Sequence, residues 1–178
     1  VTTLLVCGSR ALARNPAAER WGRATIARAV AALPPGSTVV TGDARGPDRW
    51  AHDVVCGCWL ARRPALWLRR FRPDGGVDVL PLVAGAVPDL RWTLEIAPAP
   101  DAGRAAWKAR LLARDRAMVA WVAGTTIDGR VLALLDPASP TRGTEYTART
   151  AEAAGLVVQR EVWRGQDDRP GDRPGEAS

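Results

Sequence analysis

Lysine is nearly missing from this chain: of its 25 basic residues only Lys108 is a lysine, the others being arginine. Histidine, methionine, tyrosine and phenylalanine occur once each, and cysteine three times, as Cys7, Cys56 and Cys58. An odd cysteine count in 178 residues does not read as a disulfide framework, so a reducing, cytoplasmic setting is expected. No apolar run approaches the roughly 18 residues of a membrane helix. The N-terminus carries no basic segment leading into a long apolar stretch either, so a soluble intracellular protein with no membrane association is expected. Internal repeats are absent.

At 47% hydrophobic residues the chain can build one well-cored domain, and it is too short for two comfortable ones. A single domain over residues 1–164 is expected. The formal charge of +6 and the arginine bias admit two readings. One is the footprint of a GC-rich coding sequence; the other is attraction to phosphates, whose oxygens match the planar guanidinium fork. Net charge does not separate a small nucleotide from a nucleic acid.

Thr2 to Cys7 is an apolar run ending in Gly8-Ser9-Arg10, the pattern of a buried strand leading into a tight loop. Asn15-Pro16 supplies an N-cap and a first-turn proline. Ala18, Gly22, Ile26, Ala29, Val30 and Leu33 follow at helical spacing until Pro34-Pro35-Gly36. A second strand, Thr38 to Thr41, enters the loop Gly42-Asp43-Ala44-Arg45-Gly46-Pro47-Asp48. The next helix aligns Trp50, Ala51, Val54, Val55, Cys58 and Trp59, ends near Arg62-Arg63-Pro64, and precedes a third strand, Ala65 to Phe71. This β-α-β-α-β order implies parallel strands with right-handed crossovers.

Residues 72–102 read as an inserted hairpin or edge extension. Gly75-Gly76 separates strands at Val77 to Val83 and Leu90 to Ile96, and Pro98 to Asp101 forms a linker. A helix is predicted from Arg104 to Trp121, a turn at Asp128-Gly129, and a strand from Val131 to Leu135. The segment Ser139 to Thr144 then opens a helix to Ala154, with Gly155 as C-cap and a last strand from Leu156 to Trp163. From Gly165 the composition predicts a disordered tail. The fold class is α/β: a Rossmann-like parallel sheet with helices on both faces.

Three strand-to-helix loops, Gly8 to Arg10, Gly42 to Asp48 and Ser139 to Thr144, are rich in glycine and hydroxyls. In a parallel sheet they share the carboxyl edge, where ligands bind. Helix N-termini there offer unpaired N–H groups and partial positive charge, and glycine lets the backbone approach a phosphate.

Four segments carry a family resemblance in this order: Val6-Cys7-Gly8-Ser9-Arg10; Gly42-Asp43-Ala44-Arg45-Gly46-Pro47-Asp48; Arg114-Asp115-Arg116-Ala117-Met118; and Arg142-Gly143-Thr144. They are similar to the G-x-R, G-x-A-R-G-A-D, R-N-x-x-M and late G-T patterns of the YspA/YpsA-related branch of the SLOG superfamily. That superfamily also holds the LOG phosphoribohydrolases and the DNA-processing protein A fold. The resemblance spans residues 1–63 and about 104–163. It implies a nucleotide- or nucleotide-sugar-binding domain, a sensor or hydrolase, often in oligomers. Ligand contacts then fall on Gly8, Ser9, Arg10, Gly42, Arg45, Gly46, Asp48, Arg114, Gly143 and Thr144. No metal or cofactor is expected.

Arg114 is singled out without the family. It shares a helical stripe with Trp107, Leu111, Met118 and Val122, and an inward arginine needs either a carboxylate or a ligand. Asp115 or a loop carboxylate would satisfy it internally; a phosphate or ribose edge would do so functionally. Catalysis is less legible. LOG enzymes carry P-G-G-x-G-T-x-x-E at the last loop, and alignment on Gly143-Thr144 puts Thr147 at the glutamate. Glu145 lies two residues away, about 200° around the helix. Sugar-bond hydrolysis needs a nearby carboxylate, which leaves Asp43, Asp48 and Glu145 as candidates.

His52 and Cys56, at i and i+4, lack an evident third metal ligand, and an exposed histidine is expected there. Cys56-Gly57-Cys58 lacks the spacer of a redox motif. The eight tryptophans suit core and edge packing more than base stacking. Nucleic-acid binding is the alternative function, with Arg62, Arg63, Arg69, Arg70 and Arg72 as a phosphate track. If that segment is a strand, Arg69 and Arg70 face opposite ways. A structural or assembly role with a vestigial pocket is the third reading.

Overall fold

The first strand, β1 (Thr2–Gly8), turns Leu4 and Val6 to one face of a sheet and Leu5 and Cys7 to the other, and all four are buried. A strand buried on both sides explains why its sequence is a continuous apolar run rather than an alternating one. A computed structural model describes residues 2–60, 66–81, 103–138 and 142–165. After β1 come a short 3-10 helix (Arg10–Arg14), α1 (Pro16–Ala31), β2 (Thr38–Thr41), α2 (Pro47–Leu60), β3 (Trp67–Phe71) and β4 (Val77–Pro81). The second half contributes α3 (Arg104–Thr125), β5 (Asp128–Leu135), α4 (Arg142–Ala153) and β6 (Val157–Val162).

The six strands form one sheet in the order β4-β3-β2-β1-β5-β6, parallel throughout except for β4 against β3. The 3-10 helix, α1 and α2 cover one face with Leu12, Ile26, Val30, Trp50 and Val55. On the other, α3 and α4 bury Met118, Val119, Val122, Ala148 and Ala151. The α/β expectation, with helices on both faces and an edge extension, is met. Strand order reverses at β1, where the chain moves to β2 on one side and to β5 on the other. The carboxyl ends of β1 and β5 flank that switch point, the usual place for a ligand crevice in such sheets.

Local chemistry accounts for the element ends. Asn15 Oδ1 accepts from the N–H groups of Ala17 and Ala18 at 2.9 and 3.3 Å, with Pro16 at the first helical position. After α4, Gly155 takes φ +79°, and Leu156 N–H reaches back to Ala151 O at 3.0 Å, closing a Schellman motif.

Several boundaries differ from expectation. Asp128-Gly129 is the start of β5 and not a turn, while α3 runs on to Thr125. The pairing of Thr2 and Thr3 with Asp128 and Gly129 wins over local turn preference. Thr2 Oγ1 adds a 2.9 Å hydrogen bond to Asp128 Oδ2. A Cβ on Gly129 would stand 2.9 Å from Val122 Cγ1, so glycine serves there to pass the strand under the end of α3. Strand β3 begins at Trp67. The expected extent of β4 to Val83, the strand at Leu90 to Ile96, the linker and residues 166–178 of the tail lie outside the described residues. Among the described residues no helix is long and apolar enough to cross a membrane.

Candidate functional site

At the end of β1, Gly8 leaves room for the Pro47 ring at the start of α2; a Cβ would collide with it. Ser9 is buried, and its Oγ accepts from Ala11 N–H at 3.3 Å, capping the 3-10 helix. The loop after β2 folds back on its own strand end. Thr41 Oγ1 lies 2.7 Å from the Gly42 carbonyl and 3.0 Å from that of Asp48, donating into the loop. Gly46, at φ +84°, makes the reversal into α2, and its carbonyl accepts the first helical bond from Trp50 N–H.

This fold-back brings Asp48, in the first turn of α2, against Arg114 of α3. Arg114 Nη1 is 3.9 Å from Asp48 Oδ2, while its Nε and Nη2 donate to Asp115 Oδ1 at 3.0 and 2.7 Å. The Arg114 side chain is only 9% exposed. Its Nη1 is buried and has no hydrogen-bond partner among the described residues. Gly42 lies directly beneath: a Cβ there would touch Asp48 Oδ2 and stand 2.8 Å from Arg114 Cζ. The glycine is therefore required by a close approach of two side chains.

A cavity of about 510 Å³ opens over this cluster at the carboxyl edge. Gly8, Arg10, Asp48, Arg114 and Asp115 form its polar side, and Gly143 and Thr144 bring in the N-terminus of α4. Leu111, Leu112 and Met118, on the same helix as Arg114 and Asp115, and Tyr146 of α4 supply its apolar lining. Three cations, Arg10, Lys108 and Arg114, meet two carboxyls, Asp48 and Asp115. Burial pushes the Asp48 carboxyl up to about 7, against the opposing pull of Arg114. The cavity is net cationic, the more so as Asp48 takes up a proton. Burial also lowers the tendency of Arg114 to stay charged, but Asp48 and Asp115 more than restore it. The Cys7 thiol, buried in the cavity wall, is held far above its ordinary value by desolvation and does not form a thiolate nucleophile.

Six of the ten residues expected at the site line the cavity: Gly8, Arg10, Asp48, Arg114, Gly143 and Thr144. Ser9, Gly42 and Gly46 lie buried in the loops beneath, and Arg45 is exposed outside the lining. The internal partner foreseen for Arg114 is present, since Asp115 holds two of its nitrogens. The sequence reading missed Lys108, Leu111, Leu112 and Asp115 as one face of α3. Their i, i+3, i+4, i+7 spacing was the available signal.

Of the carboxylates weighed for hydrolysis, only Asp48 lines the cavity. Asp43 is buried 3.6 Å from Arg70. Glu145 is engaged by Arg149 Nε at 3.0 Å and by Arg160 at 3.5 Å, on the β6 side of α4. Thr147 reaches the cavity, with its Oγ1 donating to Gly143 O at 3.0 Å.

Two further placements bear on the alternatives. Arg69 and Arg70 do face opposite ways: Arg69 stacks 4.2 Å over the Trp121 ring, and Arg70 is buried with Asp78 at 2.6 Å. Arg62 and Arg63 lie outside the described residues. His52, expected exposed, is buried at 7% exposure, its ring 3.3 Å from Asp53 Oδ1 and 3.6 Å from Cys56 Sγ. Asp53, next to it on α2, reaches Arg23 of α1 at 2.9 Å. Among the described residues no three His, Cys, Asp or Glu side chains are grouped to hold a metal ion. Comparison of the chain with family models, with curated proteins and with solved structures finds no significant match.

Proposed function

We propose that the cavity binds a nucleotide or nucleotide-sugar derivative of the AMP or ADP-ribose type, as a sensor or weak hydrolase of the SLOG kind. The observation that carries the reading is the buried Arg114 Nη1, left without a hydrogen-bond partner in the wall of a cationic cavity. A buried guanidinium N–H calls for an acceptor, and a phosphate oxygen is one that it matches well. The first turn of α4 at Gly143 and Thr144 adds N–H groups and positive dipole for the same phosphate. The apolar lining of Leu111, Leu112, Met118 and Tyr146 suits a base. Binding is the activity assigned here. For cleavage of an N-glycosidic bond, Asp48 is the cavity carboxyl whose protonation changes near neutrality.

A thermal-shift screen against AMP, ADP-ribose, NAD and cyclic nucleotides tests the reading, beside binding to single-stranded DNA at two salt concentrations. At least one nucleotide should raise Tm saturably, by a few degrees. No response to any of them, with steeply salt-dependent DNA binding, would overturn the proposal in favour of a nucleic-acid role.

A further inference from the structure

A second groove, of about 620 Å³, lies between the β3–β4 turn and α3. The turn is a three-residue hairpin loop. Gly75 N–H donates to Arg72 O at 3.1 Å, Arg72 N–H donates to Gly76 O at 2.8 Å, and Gly75 takes φ +90°. The Arg72 guanidinium folds over Gly76, its Cζ 2.6 Å from where a Cβ would stand. Its Nε is buried without a hydrogen-bond partner among the described residues, the nearest carboxylate being Asp74 Oδ1 at 3.4 Å.

Across the groove, α3 presents Arg110, Ala113, Arg114 and Ala117 at i, i+3, i+4 and i+7. The two alanines leave the space and the two arginines flank it. This stripe runs beside the one that faces the first cavity, and Arg114 sits on the border, lining both spaces. Three arginines face one aspartate, Asp74. Two buried guanidinium nitrogens, Arg72 Nε on the turn side and Arg114 Nη1 on the helix side, make no hydrogen bond among the described residues, with Asp74 and Asp48 oxygens at 3.4 and 3.9 Å.

We propose that this groove is a second oxyanion subsite, where Arg72 and Arg110 hold a phosphoryl group of a ligand whose nucleotide end occupies the first cavity. Arg114 stands between the two. The ligand class is a diphosphate-bearing nucleotide or nucleotide sugar rather than a nucleoside monophosphate. The ligand's identity rests on the proposed function of the first cavity; the oxyanion preference of the groove does not.

Titration calorimetry on the full chain separates the two ideas, using AMP, ADP-ribose and inorganic pyrophosphate. Substituting Arg72→Gln and Arg110→Gln together should weaken ADP-ribose at least tenfold and leave AMP within twofold. Arg110→Gln alone, at an exposed position, should weaken ADP-ribose at least threefold and guards against misfolding of the pair. Unchanged ADP-ribose affinity, or equal weakening of both nucleotides, would overturn the subsite. If neither nucleotide binds the wild type, the reading of the first cavity fails and pyrophosphate decides the groove. Pyrophosphate binding that survives Arg10→Gln and is lost with the two glutamines upholds the subsite. No binding, or binding indifferent to those glutamines, ends it.

Discussion

At the scale of single residues, the cluster of Gly42, Asp48, Arg114 and Asp115 concentrates the chemistry of the molecule. A carboxyl at a helix N-terminus beside an arginine would ordinarily stay ionised, yet desolvation dominates and Asp48 titrates near 7. The folded value lies above the unfolded one of about 3.9. Its contribution to stability is therefore complete below about pH 4 and is lost as pH rises through about 7. Asp48→Asn should remove that decline. Denaturant melts of both proteins between pH 4 and 8 should show their stability difference changing by a few kcal/mol, whereas a constant difference would place Asp48 in contact with water. Gly42→Ala should lower stability by about 1–3 kcal/mol, because its Cβ must push apart two nearly buried side chains. Urea denaturation measures that directly, and a neutral result would mean that Arg114 moves freely.

Among elements, α1 and α2 pack through a glycine and a tryptophan. A Cβ on Gly22 would stand 2.8 Å from Trp50 Cε3, and Trp50 is only 3% exposed. Helix propensity alone favours Gly22→Ala by about 1 kcal/mol. Overpacking against the indole should outweigh it, giving a net loss of about 1–3 kcal/mol in urea melts; a gain would mean that the helices separate without penalty. Helix α3 shows how far local pattern carries. Its periodicity placed Met118 and Val122 correctly in the core and Arg114 among inward positions. The same stripe could not show that Lys108 and Asp115 flank a cavity, since that face is defined by α4 and the β1 loop, distant in sequence. Asp128-Gly129 was misread for a related reason. A turn dipeptide is a local signal, and pairing with β1 overrides it. His52 was misjudged because helical spacing within α2 does not show that its position is buried, with Cys56 Sγ 3.6 Å from the ring.

Over the whole molecule, strand order follows from the β-α-β repeats, and with it the carboxyl edge where glycine-rich loops converge. That much was legible, as was the place in those loops and on α3 of six residues that line the cavity. Charge was less so. The chain's arginine excess suggested a phosphate track along β3, but Arg70 is buried with Asp78 and Arg69 is stacked on Trp121. The cationic surfaces instead lie on either side of Arg114. Binding of a diphosphate ester, whose charge is constant in this range, should tighten as pH falls through about 7 and Asp48 is neutralised beside Arg114. Calorimetric titration of the wild type with ADP-ribose at pH 6 and pH 8 measures this, and equal affinity would count against Asp48 at the ligand. The central claim is tested most directly by one titration: ADP-ribose into the wild type and into Arg114→Gln at pH 6, where the loss of the guanidinium leaves Asp48 protonated. The expected result is saturable binding to the wild type and at least tenfold weaker binding to a still-folded variant. Equal binding to both proteins, or no binding to the wild type, would contradict it.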